Sequence, residues 1–160
     1  MPRALKWFGI AAAVLVLDYA TKAAMLASFA PGESRVLAPF FDLVLVFNKG
    51  AAFSFLASAP GWQLPVFATI AGVASLVISF LIVRNANQLL FCWGLSLILG
   101  GALGNLYDRV VYGHVVDFLD FHAAGWHWPA FNVADSAITV GAGILIAESF
   151  LKRPPHDPAS

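Results

Sequence analysis

The chain has 160 residues, 60% of them hydrophobic and 11% charged, with nine acidic and nine basic side chains and no net charge; the mean hydropathy is +0.80. A water-soluble domain carries about 25% charged residues, so this composition excludes a soluble globule, and the balanced charge offers no field for nucleic acid or another polyanion. The single cysteine, Cys92, lies in an apolar run, which excludes an internal disulfide and reads as packing.

Crossing about 30 Å of hydrocarbon takes about 20 apolar residues, and with no water to satisfy the backbone those residues must be helical. Four stretches qualify: 5–27, 62–83, 89–107 and 133–151. The expected fold class is a mainly α membrane protein of four transmembrane helices, in one domain over residues 1–160.

The first stretch has the outline of a cleaved export signal, since Arg3 and Lys6 precede its apolar run and Ala27-Ser28-Phe29-Ala30 is a small-residue site. Asp18 and Lys22, late in that run, argue instead for a retained helix with a polar inner face. Four residues apart, they share a face and can pair. Such a pair is either structural or a device that positions a substrate carbonyl or headgroup.

After the first span, residues 34–47 are rich in β-branched and aromatic side chains around Pro39, which predicts a small strand or hairpin at the membrane surface. The third span ends in Gly100-Gly101-Ala102-Leu103-Gly104, where small residues let another backbone approach closely. Asn105, Asp108 and Arg109 follow at helical spacing. They form either a capping and ion-pair cluster or part of a site, and an Arg there can grip a carboxylate at two points. The segment 108–132 carries Phe118, Phe121, Trp126, Trp128 and Phe131, residues of the headgroup layer, and is expected as an interfacial outer loop. In the fourth span Asn132, Asp135, Ser136 and Thr139 make a polar stripe. The polar, proline-rich tail 152–160 is expected to be disordered.

Arg3, Lys6, Arg84, Lys152 and Arg153 mark one side as cytoplasmic. Both termini then lie inside, with the connections 28–61 and 108–132 outside. Only Glu148 and Asp157 among the acidic residues fall on the inner side.

Asp117, in Val115-Val116-Asp117-Phe118, lies just past the third span, and Asp135 lies one turn into the fourth. Both are at the outer boundary, because the chain leaves by one helix and returns by the next. Two carboxylates close together at low dielectric share a proton, and such a pair can activate water and polarise an amide carbonyl. For Asp135 alone, a helix N-cap is the competing role. His114, His122 and His127 stand near Asp117 in sequence without any HExxH-like pair, so no metal is expected. Ser54, Ser58 and Ser136 lack a neighbouring base at a recognised spacing, and His156 sits in the tail.

Five blocks in order carry a resemblance: Asp18-Tyr19-Ala20-Thr21-Lys22, Asn48-Lys49-Gly50-Ala51-Ala52-Phe53-Ser54, Gly100 to Arg109, Val116-Asp117-Phe118, and Phe131-Asn132-Val133-Ala134-Asp135-Ser136-Ala137-Ile138. The chain resembles the lipoprotein signal peptidases, the type II bacterial signal peptidases, over nearly its whole length. The resemblance implies an aspartic endopeptidase of the bacterial inner membrane. Its partners would be membrane lipid and diacylglyceryl prolipoproteins, whose signal peptides it removes before the lipidated cysteine. A monomer without a cofactor is the expectation. Asp117 and Asp135 match the family's catalytic pair. Asn48, Asn105, Arg109 and Asn132 match positions around the site, Asp18 and Lys22 match the first-helix motif, and residues 34–47 match a small periplasmic sheet that cradles substrate. The aromatic residues Phe118, Phe121, Trp126 and Trp128 are expected to form a flap over the site.

The competing class is a proton-coupled transporter or channel subunit, with Asp18, Lys22 and the outer carboxylates as a relay. A relay would carry polar residues across the full membrane depth, whereas here they gather at one edge.

Overall fold

The computed structural model describes residues 2–50 and 62–151. Ser54, Ser58, the residues 51–54 of the second motif block, Lys152, Arg153, His156 and the tail 152–160 lie outside the described residues. Four helices carry the fold: α1 (Pro2–Ser28), α2 (Gln63–Arg84), α3 (Leu89–Val111) and α4 (Val133–Leu151). Each is long and apolar enough to cross a membrane. Two strands follow α1, β1 (Ser34–Ala38) and β2 (Phe41–Asn48), and two follow α3, β3 (Val115–Ala123) and β4 (Trp126–His127).

Helix α3 stands at the centre and touches the other three. Small residues set its contacts. A Cβ on Gly94 would lie 2.8 Å from the Gly141 carbonyl of α4, and one on Gly100 would lie 2.6 Å from the Ala11 carbonyl of α1. Backbones this close pack by dispersion and dipole contact, which matters where lipid removes any hydrophobic drive between helices. On the periphery, α2 presents Ile70, Val73, Leu76, Val77 and Phe80 outward, as a lipid-facing helix must.

The third helix runs one turn beyond the expected 107. Its end is set at Tyr112, whose N–H bonds the Asp108 carbonyl at 2.8 Å, followed by Gly113 at φ 74°, a left-handed position that suits glycine and stops the helix.

At the end formed by the start of α1 and the α2–α3 turn, Trp7, Ile82, Cys92, Leu95 and Leu99 form one core. Trp7 Nε1 donates to the Ala86 carbonyl at 3.0 Å and closes that end. Cys92 packs here as expected, its Sγ 3.1 Å from the Asn85 carbonyl.

At the other end lies an antiparallel four-stranded sheet in the order β1-β2-β3-β4. Here the sequence reading needs correcting. The hairpin of residues 34–47 is present, but the segment read as an interfacial loop supplies the other half of the sheet, with Val46 opposite Asp117 and Asn48 opposite Val115. Val115, Val116, Phe118 and Leu119 bear the β-branched and apolar side chains that suit a strand, and β2 offers the edge that pairs with them. Phe118 is therefore no flap residue. It is buried with Met25, Leu45 and Val116 in a second core beneath the sheet. Phe121, Trp126 and Trp128 remain exposed.

Candidate active site

The polar residues singled out in the sequence converge between the sheet and the helix ends beside it. Late in α1, Asp18 and Lys22 are almost fully buried, their charged atoms 2.7 Å apart. The Lys22 ammonium also lies 2.8 Å from Asp108 Oδ2 and donates to Asn105 Oδ1 at 3.1 Å. Its three N–H donors are thus all engaged. That arrangement favours the structural alternative for Lys22 over a contact with a substrate carbonyl or headgroup. Room for this cluster comes from Gly104, where a Cβ would stand 2.5 Å from Asp18 Oδ2.

Asp18 and Asp108 reach further. Asp18 Oδ1 accepts the N–H of Ala134 at 2.9 Å, a donor in the first turn of α4 that the helix itself leaves unpaired. Asp108 Oδ2 accepts the N–H of Val116 at 3.1 Å.

Asp117 is buried on β3 and held from both sides. Asn48 Nδ2 donates to its Oδ2 at 3.0 Å, and Asn132 Nδ2 donates to its Oδ1 at 2.8 Å. Asp135 accepts from Asn105 Nδ2 at 2.8 Å. Its own N–H donates to Asn132 Oδ1 at 2.9 Å, so Asn132 is the residue that caps α4 and the Asp135 side chain is free of that duty. Asn132 comes to Asp117 because Phe131 bridges to Leu119 of β3, with reciprocal backbone bonds of 2.8 and 3.1 Å.

Burial, and after it the neighbouring Asp135 charge, pushes the Asp117 carboxyl from its ordinary 3.8 up to about 7; the bonds from Asn48 and Asn132 and the Lys22 charge pull the other way. Two interacting buried carboxyls of this kind can hold a single shared proton near neutral pH, an arrangement able both to take a proton and to give one.

Both aspartates open on a cavity of about 460 Å³, whose walls include Asn48, Phe67, Asn105, Arg109, Trp128, Ser136 and Thr139. Thr139 and Ser136 lie on the stripe that the α4 spacing predicts. A second cleft of about 450 Å³, lined by Phe40, Phe121 and Trp126, shares Trp128 and Phe131 with the first.

Arg109 differs from expectation. Rather than gripping a carboxylate at two points, it donates to the carbonyls of Asn105 and Gly50, each at 3.1 Å, and stands 5.7 Å from the Phe67 ring. The Asn105 carbonyl lies one turn back on the same helix, and Gly50 follows β2, so Arg109 ties the end of that strand to α3. Phe67 had no sequence signal, being one aromatic in an apolar span.

The histidines do not gather around Asp117. His114 stacks on Phe47 at 4.3 Å and His122 on His127 at 4.9 Å, with His122 facing Asp42 and His127 facing Asp120. Among the described residues no three His, Cys, Asp or Glu side chains are grouped to hold a metal ion. Ser136 donates its hydroxyl proton to the Asn132 carbonyl at 2.9 Å.

The profile of the family described as Signal peptidase (SPase) II matches residues 10–151. The chain belongs to the signal peptidase II family. Among its relatives, the lipoprotein signal peptidase of Janthinobacterium sp. (strain Marseille) is 59% identical over 143 residues, 89% of this chain and 86% of the relative. That of Paraburkholderia phymatum is 55% identical over 140 residues, 88% of this chain and 84% of the relative.

Two bacterial membrane enzymes with structures obtained by the in meso method share the fold. One has a TM-score of 0.84 at 29% identity over 97% of this chain and 93% of its own; the other has 0.80 at 31% over 93% and 94%. As a signal peptidase II the chain is an aspartic peptidase, and its four apolar helices make it a multi-pass membrane protein.

Proposed function

We propose that this chain removes signal peptides from diacylglyceryl-modified prolipoproteins on the N-terminal side of the lipidated cysteine, with Asp117 and Asp135 activating water. The observation that carries this reading is that the two carboxylates line one cavity while asparagines fix both, Asn48 and Asn132 on Asp117 and Asn105 on Asp135.

With one proton on the pair, the ionised carboxylate takes a proton from water as the water oxygen bonds to the amide carbon, and the protonated partner gives its proton to the carbonyl oxygen. The resulting diol breaks down when one of its hydroxyl protons returns to the ionised carboxylate and the other carboxyl protonates the leaving nitrogen. The C–N bond breaks and the pair regains its single proton. Asn48, Asn105 and Asn132 hold the two carboxyls in place, Asp18 and Lys22 support them from beneath, and Arg109 fixes the strand end at Gly50.

The whole chain is one membrane-embedded peptidase domain of the bacterial inner membrane, with both termini cytoplasmic and the site at the outer face. This orientation rests on Arg3, Lys6 and Arg84, which lie at the end away from the carboxylates. A signal peptide reaches the cavity sideways from lipid, and the apolar cleft beside Trp128 and Phe131 offers walls for the acyl chains. The working form proposed is a monomer.

The experiment is cleavage of a diacylglyceryl prolipoprotein by purified protein in detergent, with and without a chelator. Wild type should cleave in both arms. Asp117→Asn and Asp135→Asn, folded by thermal unfolding, should lose about 10³-fold or more of kcat. Normal turnover by either variant, or a reaction stopped by the chelator, would refute the assignment.

A further inference from the structure

The buried cluster beneath the pair has a geometry that a simple ion pair does not need. Asp18 and Asp108 come from different helices, yet each accepts a backbone N–H from the residue immediately before one aspartate of the pair: Ala134 before Asp135 at 2.9 Å, and Val116 before Asp117 at 3.1 Å. A single ammonium, Lys22, joins the two carboxylates at 2.7 and 2.8 Å. It also bonds Asn105 Oδ1, the side chain whose nitrogen holds Asp135.

We propose that Lys22, Asp18 and Asp108 form a clamp that sets the spacing of the two aspartates by holding the backbone just ahead of each. Asp108 is thereby a positioning residue for Asp117, and Asp18 for Asp135. The inference rests on the reading of Asp117 and Asp135 as the catalytic pair.

The physical reason is leverage. Asp117 sits on a strand and Asp135 on a helix; Asn132 ties the two elements from one side, and the ion cluster ties the backbone ahead of each from beneath. A buried cation bound to two carboxylates is costly to distort, because moving either anion leaves a desolvated charge uncompensated. Each anion is bonded to one backbone N–H, so the rigidity of the ion cluster passes to the residues before the pair. A misplacement of about 1 Å at reacting groups can cost about 100-fold in rate.

The test uses the full chain in detergent with Asp108→Ala, Asp108→Asn and Lys22→Met. Two quantities are read: amide hydrogen exchange in peptides covering 115–118 and 133–136, and kcat and KM on a lipidated prolipoprotein. Asp108→Ala should speed exchange at 115–118 and lower kcat by about 10- to 100-fold with KM within about twofold. Asp108→Asn keeps an oxygen for the Val116 N–H and should fall between it and wild type. Lys22→Met should speed exchange in both peptides. Should the alanine variant fail to fold, the near-isosteric asparagine variant decides the same question.

Exchange unchanged in both peptides of a folded variant, or a loss carried by KM alone, overturns the clamp. Wild-type protein that cleaves nothing overturns the catalytic reading instead. In that case the exchange arm still decides the geometry, protection lost in the variants supporting the clamp and protection kept refuting it.

Discussion

Asn132 bonds Asp117 with one end of its amide and, with the other, caps the helix that carries Asp135. Its Nδ2 lies 2.8 Å from Asp117 Oδ1, and its Oδ1 accepts the Asp135 N–H at 2.9 Å. The same nitrogen also reaches the Val116 carbonyl at 3.2 Å and Asn105 Oδ1 at 3.3 Å. One fully buried side chain thus couples the strand to the helix.

Asn132→Ala removes both links and leaves buried polar atoms unpaired. It should cost about 1–3 kcal/mol of stability and lower kcat about 100-fold. Thermal unfolding and single-turnover cleavage on the same preparation check both. A variant with wild-type kcat would show that the coupling is dispensable.

The pH–rate profile should fall on its basic side with an apparent pKa near 7. The active form has one proton on the pair, and that proton is lost as pH rises through the Asp117 value of about 7. The Asn48 bond favours the ionised Asp117, so Asn48→Ala should raise this pKa and move the basic limb to higher pH. A limb that stays in place, or moves down, would contradict the electrostatic account.

Stability should carry the same signature. Asp117 has a folded value of about 7 against an ordinary 3.8, so folding favours its protonated form. That contribution is complete below about pH 4 and is lost as pH rises through 7, amounting to at most about 4 kcal/mol at alkaline pH. The melting temperature of Asp117→Asn minus that of wild type should therefore grow between pH 5 and pH 9. A constant difference would mean that Asp117 is not destabilised by burial.

Two glycines make a matched pair. Gly104→Ala pushes a methyl against Asp18 Oδ2 at 2.5 Å and should destabilise by about 1–3 kcal/mol while lowering kcat. Gly9, in α1, has nothing within 4 Å of an added Cβ; Gly9→Ala should be neutral or stabilising by about 0.5–1 kcal/mol, because alanine loses less backbone entropy in a helix. Unfolding of both variants in one detergent tests the pair.

Trp128 walls both the cavity and the adjoining cleft, whereas Trp126 walls the cleft alone. Trp128→Ala should raise KM several-fold and Trp126→Ala less, by about twofold at most, if a desolvated wall strengthens binding. Equal turnover of both variants and wild type at subsaturating substrate would remove the aromatic wall from the account.

The sequence alone determined the four helices. A run of about 20 apolar residues expresses the cost of burying polar groups in hydrocarbon residue by residue, and no distant partner is needed to read it. The Asp18–Lys22 pair was legible for a similar reason, since spacing along one helix dictates a shared face, and so was the polar stripe of α4.

Only the tertiary structure decided the rest. That 115–123 is a strand follows from the edge β2 offers it, and β2 lies about 70 positions earlier. That Phe118 is core, and that Arg109 holds the Gly50 carbonyl rather than a carboxylate, depend on which chains arrive alongside. Asp108 looked like a helix-end charge and proved to be the acceptor for Val116. Asp18 meets the backbone of Ala134, 116 positions away, and Asn48 meets Asp117 across 69. Hydrogen bonds of this kind are short-ranged in space and unconstrained in sequence, so the pattern that marks the polar residues as out of place in a membrane does not contain the partners that make them tolerable there.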